Sequence, residues 1–336
     1  MKTRIAVLLI LIGATAWADA PYVVGGFKFG ADGGHEALVR TGKDVRMMGL
    51  GEVTSLAAVG KDLYAAGSFQ NGGAEYACLW KNGVRADLSG GLSSSAGVVC
   101  VAGGRVYVSG QYMMEGRKTA CYWKDGVRTD LSADLAYAWT YDLAVSGKDV
   151  FVSGGFKSGE KAHACVWKNG VRTDLGEGNI AFGITVHNGD YVIAGSLAGT
   201  KPCLFTPAGA AALEVPASAG AWARDVAFMG DSRVVLISHP DPRDRTRQAG
   251  YLRDGKWKPL VYKEVESGLK YQVSSVGSKT AVIDGHVLIT GTATADTGEG
   301  GIFLVSCVWR DGEVDSHEGS VDAWQVYNCI APLSGK

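Results

Sequence analysis

Apolar and polar residues alternate with a period of two along most of this chain, in short runs separated by turns that contain glycine. The clearest stretch, Leu143-Ala144-Val145-Ser146-Gly147-Lys148-Asp149-Val150-Phe151-Val152-Ser153-Gly154, reads as a strand, a tight turn and a second strand. Similar pieces start near Leu56, Val99, Ile184, Val226 and Thr280. A different piece recurs between them, at Ala77 to Leu88 (ACLWKNGVRADL), Ala120 to Leu131 (ACYWKDGVRTDL) and Ala164 to Leu175 (ACVWKNGVRTDL). Asn-Gly and Asp-Gly between apolar runs favour the turns that join antiparallel strands. Each repeat therefore predicts four antiparallel strands, A to D, with Ser-Gly-Lys-Asp-type turns between A and B and Lys-Asn-Gly-type turns between C and D. Helical periodicity is absent.

Weaker copies of the C–D piece stand at Ala37 to Gly42, Cys203 to Phe205, Tyr251 to Gly255 and Cys307 to Gly312. Their anchor residues, Val39, Trp80, Trp123, Trp167, Phe205, Leu252 and Trp309, mark seven repeats, spaced roughly 45 residues apart, within the range of propeller blades. The two ends of the chain complement one another. Ser334-Gly335-Lys336 matches the end of an A strand, Ser146-Gly147-Lys148, and Tyr22 to Phe27 matches the B strand Phe151 to Phe156. Repeat 1 is thus expected to take its A strand from about 328 to 333 and its B, C and D strands from 21 to 50, which closes a ring and leaves no open sheet edge between the termini.

On these repeats the chain resembles the seven-bladed β-propellers, in particular a broad class of exported bacterial proteins with Tyr-Val-Ser-Gly…Trp-Lys-Asn-Gly repeats. The resemblance covers essentially all of residues 19–336 and implies an all-β, seven-bladed fold of four-stranded antiparallel blades. It departs from the functional subtypes: there is no Trp-Asp dipeptide at blade ends, no kelch Gly-Gly pair with its spaced Tyr and Trp, and no sialidase Ser-x-Asp-x-Gly-x-x-Trp box. The label implies a fold and leaves the function open, because propellers host binders, scaffolds and enzymes alike.

Charge narrows the choice. The chain has 33 Lys+Arg against 34 Asp+Glu, a balance that gives no reason to expect nucleic acid or an anionic membrane as partner. Its 48 glycines suit a protein of many tight turns. At the start, Lys2 and Arg4 precede the apolar run Ile5 to Ile12 and then Ala16-Trp17-Ala18, the pattern of a signal peptide cleaved after residue 18. The run is too short for a membrane span. A single domain over residues 19–336, exported to a periplasm or beyond and monomeric, is the expectation. Five of the seven cysteines, Cys78, Cys121, Cys165, Cys203 and Cys307, stand two residues before an anchor aromatic. Equivalent positions in successive repeats cannot approach closely enough to pair, so they are read as small apolar filler.

Residues that recur in register, such as the anchor tryptophans and the Arg and Asp of Val-Arg-Thr-Asp-Leu, are expected to serve the fold. Chemistry is sought in the variable B-to-C and D-to-A loops, which share one face. There Trp139, Trp222 and Trp324 precede A strands of repeats 4, 6 and 1, with Phe182 and Tyr271 in comparable places, and Asp142, Arg224 and Asp225 close behind. Aromatics converging with carboxylates and an arginine over a central channel suit a glycan, peptide or protein ligand. The alternatives are a glycoside hydrolase or polysaccharide lyase, with Asp142 or Asp225 as acid/base and Arg224 on an acidic group, and a structural envelope component. The six histidines show no metal-ligand spacing, and there is no nucleotide or dinucleotide motif, so neither a metal nor a cofactor is expected.

Overall fold

In the computed structural model the described residues are 22–29, 34–42, 44–216, 220–240, 247–261, 270–272, 279–296, 302–318 and 325–332. They are all-β, and every sheet ladder is antiparallel. Repeat 4 shows the unit: Ala138–Ser146, Asp149–Ser158, Lys161–Lys168 and Val171–Glu177 pair in chain order as one four-stranded sheet. Repeats 3, 5 and 6 are built the same way.

Among the described residues six sheets result, because one of them has seven strands. The long strand Asp44–Val59 pairs through its first half with His35–Thr41 and through its second half with Asp62–Asn71, so repeats 1 and 2 share one ladder. Gly51 makes the passage possible: its φ is +136°, and a Cβ there would lie 2.0 Å from the Ser68 carbonyl oxygen. At the other edge of this sheet the C-terminal strand Gln325–Pro332 pairs with the N-terminal strand Tyr22–Phe29, placing Val23 opposite Ala331 and Val24 opposite Ile330.

The C–D turns have the backbone that the Asn-Gly and Asp-Gly signals require. Asn82, Asp125, Asn169, Asp254 and Asp311 have φ of 50–51°, and each is followed by a glycine with φ of 79–91°. The same side chains tie two hairpins together, since their Oδ1 atoms accept from the backbone N–H of Leu63, Val106, Val150, Arg233 and Val287 at 2.8–3.0 Å, beside the A–B turns.

Burial explains why the Cys-x-Trp pattern recurs. Trp80, Trp123, Trp167 and Trp309 are at most 2% exposed and the four partner cysteines are fully buried. The Ser-Gly of the preceding B strand makes room for the ring: a Cβ on Gly110 would lie 2.6 Å from Trp123, and one on Gly154 would lie 2.9 Å from Trp167. Among the described residues seven apolar clusters form, and each is shared by two repeats. Val39 and Trp80 join repeat 1 to 2, Phe151 and Phe205 join 4 to 5, and Tyr22 and Leu288 join 7 to 1. The repeated arginines stack on B-strand aromatics, with the Arg85, Arg128 and Arg172 guanidinium carbons 3.8, 4.0 and 4.6 Å from the ring centroids of Phe69, Tyr112 and Phe156. Within this motif Arg128 pairs with Asp130 at 3.0 Å, whereas Arg172 pairs with Asp134.

All seven cysteines are free. Burial raises their thiol pKa values, that of Cys203 to about 12, so these sulfurs are poor nucleophiles. Cys100, half-buried beside the central channel, is the most accessible. A thiol-reactive chromogenic reagent is expected to modify at most one cysteine of the native chain and all seven after denaturation. A disulfide found by mass spectrometry, such as Cys78 with Cys121, would overturn the repeat register.

The expected signal peptide, residues 1–18, lies outside the described residues. Among the described residues no helix is long and apolar enough to cross a membrane.

Candidate functional site

The A strands of adjacent repeats pack side by side around a central cavity of about 420 Å³. Ladder partners show which residues occupy the same place on each strand. Asp142 lies opposite Ser153, Asp225 opposite Leu236 and Lys279 opposite Thr290, so two carboxylates and an ammonium stand at one level in repeats 4, 6 and 7. Ser55 holds that level in repeat 2. Alternation points all these side chains to the same side of their strands.

Lys279 Nζ is 2.6 Å from Asp142 Oδ2 and 3.5 Å from Asp225 Oδ1. Backbone donors complete the group. Asp142 accepts from the N–H of Leu143 at 2.7 Å and of Ile184 at 3.0 Å, and Asp225 accepts from Thr280 N–H at 2.7 Å. The cluster thereby ties together repeats 4, 5, 6 and 7. Asp142 and Asp225 are only 3% and 4% exposed. Burial raises the pKa of Asp225, with Lys279 opposing and Asp142 adding to the effect. For Lys279 burial favours the neutral amine, yet the two carboxylates outweigh it and raise the pKa, which keeps the ammonium charged. Gly183 leaves the space that Asp225 fills, since a Cβ there would lie 2.3 Å from Asp225 Oδ1.

From this level the cavity extends toward the C-terminal ends of the A strands, where Val59, Val101, Ala227 and Pro332 line it. That is the side of the short A–B turns. Of the candidate aromatics, Trp139, Phe182 and Trp222 do not line it.

The aromatics form a second feature, at the N-terminal ends of the A strands of repeats 4 to 6. Trp139 and Tyr141 have ring centroids 6.4 Å apart, Tyr141 and Phe182 5.0 Å, and Phe182 and Trp222 6.2 Å. The Arg224 guanidinium lies 4.6 Å from the Phe182 centroid and 5.6 Å from that of Trp222. Tyr137 extends the row beyond Trp139 at 5.9 Å. Tyr137 and Tyr141 are 39% and 41% exposed, while Trp139, Phe182 and Trp222 are half-buried. Two of the tryptophans also serve the fold: Trp139 lies against Gly155, and Trp222 Nε1 donates to the Gly199 carbonyl at 2.7 Å.

The residues singled out in the sequence therefore separate. Trp139, Phe182, Trp222 and Arg224 come together in the arc, whereas Asp142 and Asp225 turn into the channel onto Lys279. Tyr271 lies in the strand Lys270–Gln272, opposite Ala295; its side chain and all of Trp324 are outside the described residues. Lys279, Tyr137 and Tyr141 were missed. Lys279-Thr280-Ala281-Val282 aligns beneath Asp142-Leu143-Ala144-Val145, which sets a lysine in the column of the aspartates, and Tyr141 follows Trp139 by two positions. Among the described residues no three His, Cys, Asp or Glu side chains converge in a way that could hold a metal ion.

No family model matches the sequence, and no curated protein matches it. Among solved structures the chain is similar to an acylaminoacyl peptidase of Pyrococcus horikoshii, at 12% identity and a TM-score of 0.45 over 83% of this chain and 49% of that one. It is also similar to a Trypanosoma rangeli sialidase in complex with sialic acid, at 11% identity and 0.44 over 78% and 55%. A third is a Bacillus subtilis arabinanase, at 12% identity and 0.36 over 76% and 92%. This chain thus spans about half the length of the peptidase and of the sialidase. The all-β architecture stands on its own strand ladders.

Proposed function

We propose that this protein is an exported, seven-bladed β-propeller that binds a glycan chain along the aromatic arc from Trp139 to Trp222. The blade count is supported by the seven inter-repeat clusters, the last of which joins repeat 7 back to repeat 1. Residues 1–18 serve as the export signal and 19–336 as a single domain.

The observation that carries the binding reading is the arc itself. Neighbouring ring centroids from Trp139 to Trp222 are 5.0–6.4 Å apart and their planes are inclined by 43–82°. Such a row offers successive small faces to a chain of rings rather than one platform to a flat molecule, and stacking on sugar faces needs no catalytic group. The hydrolase alternative needs two carboxylates placed to exchange a proton with substrate. Here Lys279 stands between Asp142 and Asp225, and that geometry favours binding.

The test is a glycan array followed by titration of whatever glycan it identifies. Tyr141→Ala with Phe182→Ala is expected to weaken that binding about tenfold or more, since each stacked contact contributes about 0.5–1.5 kcal/mol. The melting temperature should stay nearly unchanged. An array with no signal, or undiminished binding by the double variant, would sink the proposal.

A further inference from the structure

Lys279 reaches from repeat 7 to Asp142 of repeat 4, a residue 137 positions away in the chain. Stability alone gives this contact little reason to exist. Two carboxylates and one ammonium leave an excess negative charge in a buried site, and well-packed apolar side chains generally serve a fold as well as a buried ion pair does. The arrangement has instead the parts of an acyl-transfer site: an amine nitrogen, a carboxyl group held by backbone donors, and a second carboxylate within reach of the nitrogen.

Lys279 Nζ lies 2.6 Å from Asp142 Oδ2, against the carboxyl group. Asp142 Oδ1 accepts from Leu143 N–H at 2.7 Å, which sets a donor on the oxygen that would carry the charge of a tetrahedral intermediate. Oδ2, the oxygen facing Lys279, accepts from Ile184 N–H at 3.0 Å. Asp225 Oδ1 is 3.5 Å from the same nitrogen, while Thr280 N–H holds its Oδ2 at 2.7 Å. Burial raises the Asp225 pKa, which suits a carboxylate that takes up a proton and gives it back. Both aspartates are buried, and Lys279 borders the central cavity, into which a small leaving group can pass.

We propose that Lys279 and Asp142 condense into an isopeptide bond across the channel, with Asp225 as the proton relay. The ammonium is not nucleophilic until it loses a proton, and Asp225 is the base beside it. Once Asp225 has taken that proton, the freed amine attacks Cγ of Asp142 and the Nζ–Cγ bond forms. The Cγ–Oδ2 bond then breaks, and Oδ2 leaves as water with two protons that came from the ammonium and were passed on by Asp225. Ammonium and carboxylate thereby become amide and water, and no oxidant, reductant or activating cofactor is needed. The ion pair is the precursor, and its charges belong to the unlinked chain. Holding both groups in one site drives the step, since well-oriented intramolecular reactions reach effective concentrations of about 10⁵–10⁸ M.

Mass spectrometry of the purified chain, denatured after prolonged incubation in the folded state, tests the proposal. The mass is expected to fall short by one water of that calculated from the chain's own N-terminus, and a proteolytic digest should contain a branched peptide that joins the segments around Asp142 and Lys279. Lys279→Arg keeps a cation between the carboxylates but cannot form the bond, so its mass should equal the calculated one. Asp225→Asn should likewise show no deficit. The linked parent should run faster than Lys279→Arg on a denaturing gel, because the bond closes a large loop. If a variant fails to fold, the mass and digest of the parent decide alone. A parent chain of full calculated mass would overturn the proposal, as would a water deficit that the digest traces to other residues. A branched peptide through Asp225 would overturn the assignment of Asp142 as the acyl donor, and a bond that still forms in Asp225→Asn would overturn the relay.

Discussion

Removal of residues 325–336 is expected to abolish the cooperative fold. The strand Gln325–Pro332 makes seven register pairs with Tyr22–Phe29. It also contributes to two cores, through Cys329 and Ala331 in the cluster shared by repeats 1 and 2 and through Ile330 in the cluster shared by repeats 7 and 1. At about 1 kcal/mol per hydrogen bond and about 1–3 kcal/mol per buried apolar side chain, its loss removes on the order of 5–10 kcal/mol. That is comparable with the whole stability of an ordinary domain, about 5–15 kcal/mol. The truncated chain also exposes the edge of the N-terminal strand to pairing with other molecules. Circular dichroism should show no sharp transition, or aggregation on warming. A truncated protein that melts with the full chain would refute closure by the two terminal strands.

Lys279→Met should be the most damaging single substitution in the channel. It leaves Asp142 and Asp225 facing each other in a buried site without their shared cation, a change that typically costs about 3–5 kcal/mol and lowers the melting temperature on the order of 10 °C. Acid should lessen the deficit. The Asp225 pKa is raised in the folded state, so between the unfolded carboxylate pKa and the folded one the native state binds more protons, and stability falls as pH rises through that window. Without Lys279 the window widens upward, and the gap between variant and parent should narrow as pH is lowered from neutral. In the parent, Lys279 works in the opposite range: its stabilisation is fully present below the unfolded lysine pKa and is lost as pH rises through the still higher folded one. Adding Asp142→Asn and Asp225→Asn to Lys279→Met should recover part of the loss, because no uncompensated charge remains. A Lys279→Met variant as stable as the parent at neutral pH would show that the cluster does not hold the repeats together.

The binding and stability variants probe different surroundings of the A strands, the partly exposed row and the channel. Tyr141→Ala with Phe182→Ala alters a partly exposed row and should spare the melting temperature, whereas Lys279→Met alters the channel and should spare the arc. A ligand that lost affinity equally in both would indicate that arc and channel form one site.

Strand order, turn type and the meeting of the termini could be read from the chain because they rest on local rules that recur. Period-two alternation, Asn-Gly and Asp-Gly turns and the Cys-x-Trp register each act within a few residues, and repetition confirms them against chance. Trp139, Phe182, Trp222 and Arg224 could likewise be singled out, since they stand where repeats differ. The joining of repeats 1 and 2 through one 16-residue strand could not. It depends on whether a ladder breaks at Gly49 to Gly51, and a glycine signals a bend equally well with or without a break. Nor could the separation of the aspartates from the aromatics. Trp139 and Asp142 lie three residues apart on a strand whose register shifts between Thr140 and Asp142, and simple alternation along the chain does not count that extra residue.

By itself the sequence determined an all-β chain of repeated four-stranded units with its termini paired, because alternation, turn chemistry and anchor burial are set by neighbours along the chain. Only the tertiary structure decided that Asp142, Asp225 and Lys279 share one level of the channel and that Tyr137 to Trp222 form a continuous arc. Those juxtapositions join residues from different repeats, and the distance between such residues is set by how whole sheets pack around the axis.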